Sequence, residues 1–218
     1  WYARGTASSS ETTPLQFKTM QERFDRVQNH LRRGLQLFAH PVALVAVGMH
    51  MQSASAHEGF DYHAEAERYY PRSPSLCEMR LWSLQPKWGG DRQAVAEFYQ
   101  ACQQQGWSAD DYRRFSIYWH IIEADMQSCE GNSSVAFQTL LKVEQDAQDD
   151  SYFLRTLGDH HLRRNEYPAA TRCFERALAL RPSPKAYMGL ASAWEALDEP
   201  QKRRQALQQA AELGDGYA

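Results

Sequence analysis

The sequence predicts an all-α protein of stacked antiparallel helical hairpins. The main observation is an internal repeat within residues 151–216, where seven positions recur at a step of 33 residues. A period of this length is typical of stacked hairpins, because each hairpin can bury its apolar face only against its neighbours. A second observation is that apolar residues recur at three- and four-residue steps, whereas no segment alternates as a half-buried β-strand would.

The two copies of the repeat keep the size or polarity class of each position, except where His161 becomes Trp194. The first copy carries Leu154, Leu157, Gly158, His161, Phe174, Ala177 and Leu180, and the second carries Tyr187, Leu190, Ala191, Trp194, Leu207, Ala210 and Leu213. Pro168 and Pro200 suit the start of the second helix in each copy, because the N–H that proline lacks would be unpaired there. We expect His161 to be a packed imidazole, and a catalytic role is the less favoured alternative.

The motif of the first copy resembles the tetratricopeptide repeat. It consists of Leu154, Leu157-Gly158, Ala170, Phe174, Ala177 and Pro182. The resemblance covers about a third of the chain and implies a tetratricopeptide-like α-solenoid that binds another protein or a peptide. The second copy departs from the family at Arg203, where a small residue is usual.

In that family the first helix of each hairpin lines the binding groove. The matching outward positions are therefore our candidate partner-binding residues: Tyr152, Arg155, Asp159, Arg163, Met188, Ser192 and Glu195. Aromatic residues, Arg and Met are enriched at protein interfaces. Asp159 and Met188 differ from the family's clamp for a C-terminal carboxylate, so that ligand is not expected. The alternative is that these side chains are simply exposed.

The preceding part of the chain predicts further helices. We expect a flexible leader over 1–14, a helical domain over 15–147 and the repeats over 148–218. Trp88-Gly89-Gly90 predicts a structural turn, with Asp91 as the N-cap of the next helix. This turn resembles that of an uncharacterised bacterial family of helical proteins, which implies a helical fold and a bacterial origin without an activity. The helix 108–127 is apolar on most sides, which predicts a central position.

Composition limits the classes of function. The chain has 218 residues, 43% hydrophobic and 23% charged, with a net charge of −3. This balance does not favour nucleic acid, and basic clusters such as Arg163-Arg164 are interspersed with acids. The sequence contains no phosphate-binding loop and no dinucleotide glycine pattern. We therefore expect a binding protein rather than an enzyme, without a cofactor, catalytic residues or a small-molecule substrate.

The sequence leaves two alternative functions open. One is an immunity protein that neutralises a bacterial toxin, which rests on analogy with other small helical binders. The other is a metal-dependent enzyme that uses the histidines and acids of residues 40–67. The histidines are His40, His50, His57 and His63. Because no HExxH motif occurs, we favour the interpretation without a metal site.

Compartment is indicated only indirectly. None of the four cysteines lies in a CxxC pair, and each falls among apolar residues, which is typical of buried, reduced thiols. We expect a cytoplasmic bacterial protein. The alternative is a periplasmic protein tethered by a removed N-terminal membrane anchor, because Trp1-Tyr2-Ala3-Arg4 has the residues that often border a bilayer. We favour an arbitrary chain boundary there.

Overall fold

The computed structural model describes residues 62–86 and 91–215, together with a few isolated positions between 22 and 33. The chain divides into two compact units, residues 1–71 and 72–218. The predicted leader, most of the predicted helical domain before residue 62, and Trp88-Gly89-Gly90 lie outside the described residues.

The described part of the chain is helical and contains no strand. In the first unit it contains α1 (Tyr62–Tyr69). In the second unit it contains α2 (Pro74–Ser83), α3 (Arg92–Cys102), α4 (Ala109–Cys129), α5 (Ser133–Leu141), α6 (Ser151–Arg163), α7 (Tyr167–Leu180), α8 (Pro184–Ala196) and α9 (Pro200–Asp215).

Helices α2 to α9 pair in chain order as four antiparallel hairpins. The first helices of successive hairpins pack against one another in the order α2, α4, α6 and α8, and α7 also packs against α8. This arrangement is an α-solenoid of stacked hairpins, so the predicted fold class is confirmed. The predicted division at residue 147 stays a prediction; one hydrophobic cluster has members on both sides of it.

Side-chain caps fix where four of these helices begin. The carboxylate of Asp91 accepts from the Ala94 N–H at 3.4 Å, and that of Asp150 accepts from the Phe153 N–H at 2.8 Å. The hydroxyls of Ser108 and Ser183 accept from N–H groups three residues later, at 3.1 and 3.2 Å. Each cap satisfies a donor that the first turn of a helix would leave unpaired.

Helix α4 is central, as its sequence predicts. One side contributes Ile117, Ile121 and Ala124 to a cluster shared with α5, α6 and α7. The other side contributes Phe115, Ile122 and Met126 to a cluster shared with α2 and α3. A helix that packs on both sides needs apolar residues around most of its circumference.

Phe174 joins the two repeated hairpins. Its ring is fully buried on α7 and lies between Gly158 of α6 and Gly189 of α8. A Cβ atom at Gly158 would lie 2.8 Å from Phe174 Cε1, and one at Gly189 would lie 2.5 Å from Phe174 Cζ. The two glycines therefore allow helices α6 and α8 to close around the ring.

Candidate partner-binding face

The seven predicted partner-binding residues lie on two adjacent helices. Tyr152, Arg155, Asp159 and Arg163 recur at three- and four-residue steps along α6, and Met188, Ser192 and Glu195 do so along α8. We call these seven residues the inner face. Two of its large apolar side chains are exposed, Tyr152 at 43% and Met188 at 58%.

An ion pair holds the middle of the inner face on α6. The Arg155 guanidinium donates to the Asp159 carboxylate at 2.9 Å, one helical turn away. The same guanidinium lies 4.9 Å from the centroid of the Tyr152 ring, a cation–π distance. The two contacts restrict the conformations of the arginine side chain.

The Asp159 carboxyl is partly withdrawn from water. Burial raises its pKa, and three cations oppose that shift: Arg155, then Arg163, then Lys185 of α8. Burial disfavours the charged form of a carboxyl, whereas nearby cations favour it. Lys185 belongs to α8, which packs against α6.

Arg163, at the end of the α6 row, contacts a buried histidine. Its guanidinium donates to His160 Nε2 at 3.4 Å. Burial first, and Arg163 second, lower the pKa of His160 to about 4, so this imidazole is neutral at pH 7. The repeat pattern predicts a packed imidazole at the neighbouring position, His161. His161 is packed as predicted, with Nδ1 at 2.7 Å from Glu166 and its ring edge-on to Phe137.

The polar residues on α8 are engaged locally. The Ser192 hydroxyl donates to the Met188 carbonyl at 3.1 Å, and Glu195 pairs with Arg203 of α9 at 3.4 Å. Arg203, which departs from the repeat pattern, is exposed rather than packed between helices. Tyr152 and Met188 are consequently the side chains of the inner face that offer the most apolar surface.

Side chains of α4 and α2 near these helices were not predicted from the sequence. The Tyr118 ring lies 6.5 Å from the Tyr152 ring, and burial raises the Tyr118 pKa. Burial also raises the pKa of Glu78, whose carboxylate lies 3.8 Å from the Arg114 guanidinium. The available signal was that α2 and α4 are the first helices of their hairpins, as α6 and α8 are.

Three other features considered from the sequence are a metal site, a membrane-spanning helix and the burial of the cysteines. Among the described residues no three His, Cys, Asp or Glu side chains form a group that could hold a metal ion. His40, His50 and His57 lie outside the described residues. None of the helices in 62–86 and 91–215 is long and apolar enough to cross a membrane. The expectation of buried cysteines is confirmed for Cys77 and Cys102; it is wrong for Cys129, which is exposed, and Cys173 is only partly buried.

Comparison with known proteins gives only distant structural similarity. No protein-family model matches this sequence, and no curated protein is significantly similar to it. Among solved structures, MamA from AMB-1 matches 81% of this chain and 96% of its own, with 16% identity and a TM-score of 0.49. MamA from Desulfovibrio magneticus RS-1 matches 91% and 98%, with 14% identity and a TM-score of 0.48. MamA from MSR-1 matches 90% and 99%, with 16% identity and a TM-score of 0.47. The assignment of this chain to the α-solenoids rests on the helix packing described above.

Proposed function

We propose that this chain is a non-enzymatic binding module for another protein, and that the inner face holds a segment of the partner. The observation that supports the proposal most directly is the pairing of exposed Tyr152 and Met188 with a pre-formed Arg155–Asp159 ion pair. Aromatic, methionine and arginine side chains contribute most of the energy at many protein interfaces. A pre-ordered arginine loses little further freedom when a partner binds.

The packing order of the helices supports a continuous surface. Helices α2, α4, α6 and α8 pack in succession, so Tyr118 and Glu78 extend the inner face toward the start of the second unit. A solenoid of this kind presents an extended surface rather than an enclosed pocket. Such a surface suits a protein segment better than a small substrate, which needs a concave site that buries most of it.

We also propose that 148–218 functions as the repeat region and that the protein is cytoplasmic.

The test is quantitative affinity capture from the native cell with mass spectrometry, followed by a direct affinity measurement with the captured protein. We expect Tyr152→Ser with Met188→Ser to remove the partner that the wild type captures, because both apolar anchors are lost. Val135→Ser is the matched control, since Val135 is equally exposed at 53% but lies on α5, outside the inner face. Equal affinity of the wild type and the double variant for the captured protein would refute the assignment of the inner face.

A further inference from the structure

A second surface lies between the last two hairpins and shares no residue with the inner face. It is a cleft of about 660 Å³, lined by α7, α8 and α9. The lining residues are Glu175, Tyr187, Leu190, Trp194, Lys202, Gln205, Ala206, Gln208 and Gln209. We call this the terminal cleft.

The terminal cleft combines aromatic rings with hydrogen-bond acceptors. Tyr187 and Trp194 are half-buried and, with the buried Leu190, form the contribution of α8. The amide nitrogens of Gln208 and Gln209 donate to Glu212 at 2.8 and 2.9 Å, which leaves their carbonyl oxygens as acceptors. The Glu175 carboxylate and the Gln205 amide, which have no hydrogen-bond or ion-pair partner among the described residues, add further acceptors.

The terminal cleft is lined by one acid, Glu175, and one cation, Lys202. Its own cation, Lys202, is paired with Glu199 at 3.2 Å, so the carboxylate of Glu175 is not neutralised by it. None of the arginines of α7 and α9, both of which are fully described, lines the cleft. Arg176 bonds to Gln148 and Arg203 pairs with Glu195, so both are directed to other contacts.

Lys202 shows how this surface holds a positive group. Its Nζ lies 4.4 Å from the centroid of the Trp194 ring while it pairs with Glu199. A cation between an aromatic ring and a carboxylate is attracted by both. The remaining part of the cleft offers the same two elements again, the Tyr187 ring and the Glu175 carboxylate, together with free amide oxygens.

We propose that the terminal cleft binds an arginine- or lysine-bearing segment of a partner protein. The methylene stem of the basic side chain lies along Tyr187, Leu190 and Trp194. Its charged head pairs with Glu175 and donates to the glutamine oxygens. This proposal does not rest on the inner face, so the binding assignment of either surface can be refuted without the other.

The probe is a short capped peptide of alanines with one central arginine, titrated into the isotope-labelled full chain and followed by NMR. The matched peptide carries citrulline, which keeps the shape of arginine without its charge. We expect the arginine peptide to shift the Trp194 indole and the Gln205, Gln208 and Gln209 side-chain amides, and the citrulline peptide to have little effect.

Substitution of Glu175 tests whether the arginine peptide binds at the cleft or at another acidic surface. Glu175→Gln should lower the affinity for the arginine peptide about two- to fivefold, which corresponds to the energy of an exposed ion pair. Because Glu175 is exposed, the substitution should not unfold the chain. Glu144→Gln, an exposed glutamate outside the cleft, should leave the affinity unchanged. Equal affinity for the arginine and citrulline peptides, shifts confined to other surfaces, or no shifts at all would overturn the proposal. Tighter binding of spermidine than of the arginine peptide would overturn its assignment to a protein segment.

Discussion

Substitution of Gly189 by alanine tests whether Phe174 really sets the packing of the last two hairpins. The new Cβ would lie 2.5 Å from Phe174 Cζ and 2.6 Å from Cε1, well inside normal contact distance. The ring cannot simply move away, because the same two atoms are also the closest to Gly158 of α6. The methyl group must therefore displace α8 or force the ring out of its preferred rotamer.

The sign of the change in the free energy of unfolding distinguishes overpacking from helix propensity, because the two have opposite effects. Alanine in a helix interior is favoured over glycine by about 1 kcal/mol. Overpacking a closely packed core costs about 1–3 kcal/mol, and the short contact at Gly189 places the expected cost toward the upper part of that range. We therefore expect Gly189→Ala to lower the free energy of unfolding by a net amount of about 1–2 kcal/mol.

Urea denaturation followed by circular dichroism measures this change. Gly214→Ala is the matched control, since Gly214 lies in α9 and a Cβ there would meet nothing within 4 Å, so this variant should be neutral or slightly stabilised. Combining Gly189→Ala with Phe174→Leu should relieve the clash, with a coupling energy of about 0.5–3 kcal/mol in a double-mutant cycle. A Gly189→Ala variant more stable than the wild type would refute the conclusion that the Phe174 ring leaves no room for a Cβ atom at Gly189.

Three further predictions concern individual side chains. Asp150→Ala should lower the free energy of unfolding by about 1 kcal/mol in the same urea assay, because it removes the cap of α6, whereas Asp149→Ala next to it should change it by less than about 0.5 kcal/mol. Burial lowers the pKa of His160 to about 4 from 6.5, so the unfolded chain binds a proton that the folded chain does not bind between these values. Stability should therefore fall as pH decreases through this window, and His160→Leu should show a shallower decrease; identical pH profiles would contradict the cause. The exposed thiol of Cys129 should react with Ellman's reagent in the native protein well before those of Cys77 and Cys102, and Cys129→Ser should remove this fast phase.

The repeat period explains why α6 to α9 could be predicted closely. Proline at the second-helix starts and small residues at Gly158 and Ala170 are local signals, and the same spacing appears twice. The structure adds that Asn165 and Asp198, also 33 residues apart, both turn with positive φ, at 61° and 56°. Local chemistry of this kind is visible in sequence because it depends on neighbours along the chain.

The contacts between helices could not be predicted in the same way. The proximity of Tyr118 to Tyr152 depends on how one hairpin is rotated against the next. The terminal cleft likewise depends on how α7, α8 and α9 are placed relative to one another. The glutamines that line it look like ordinary solvent-exposed residues of a polar helix in the sequence. Periodicity identifies the buried stripe of a helix, but it does not show which exposed side chains from different helices meet.

Helix α8 connects the two proposed surfaces. Met188, Ser192 and Glu195 form one stripe of this helix, and Tyr187, Leu190 and Trp194 form another, well separated around its axis. The inner face and the terminal cleft therefore both depend on the position of α8, and the close approach of Phe174 to Gly189 is one of the contacts that set this position. A shift of α8 in Gly189→Ala should weaken binding at both surfaces, because it moves both stripes together. Glu175→Gln should affect only the cleft, and Tyr152→Ser only the inner face. A Gly189→Ala variant that binds normally at one surface and poorly at the other would show that a shift of α8 does not couple the two surfaces.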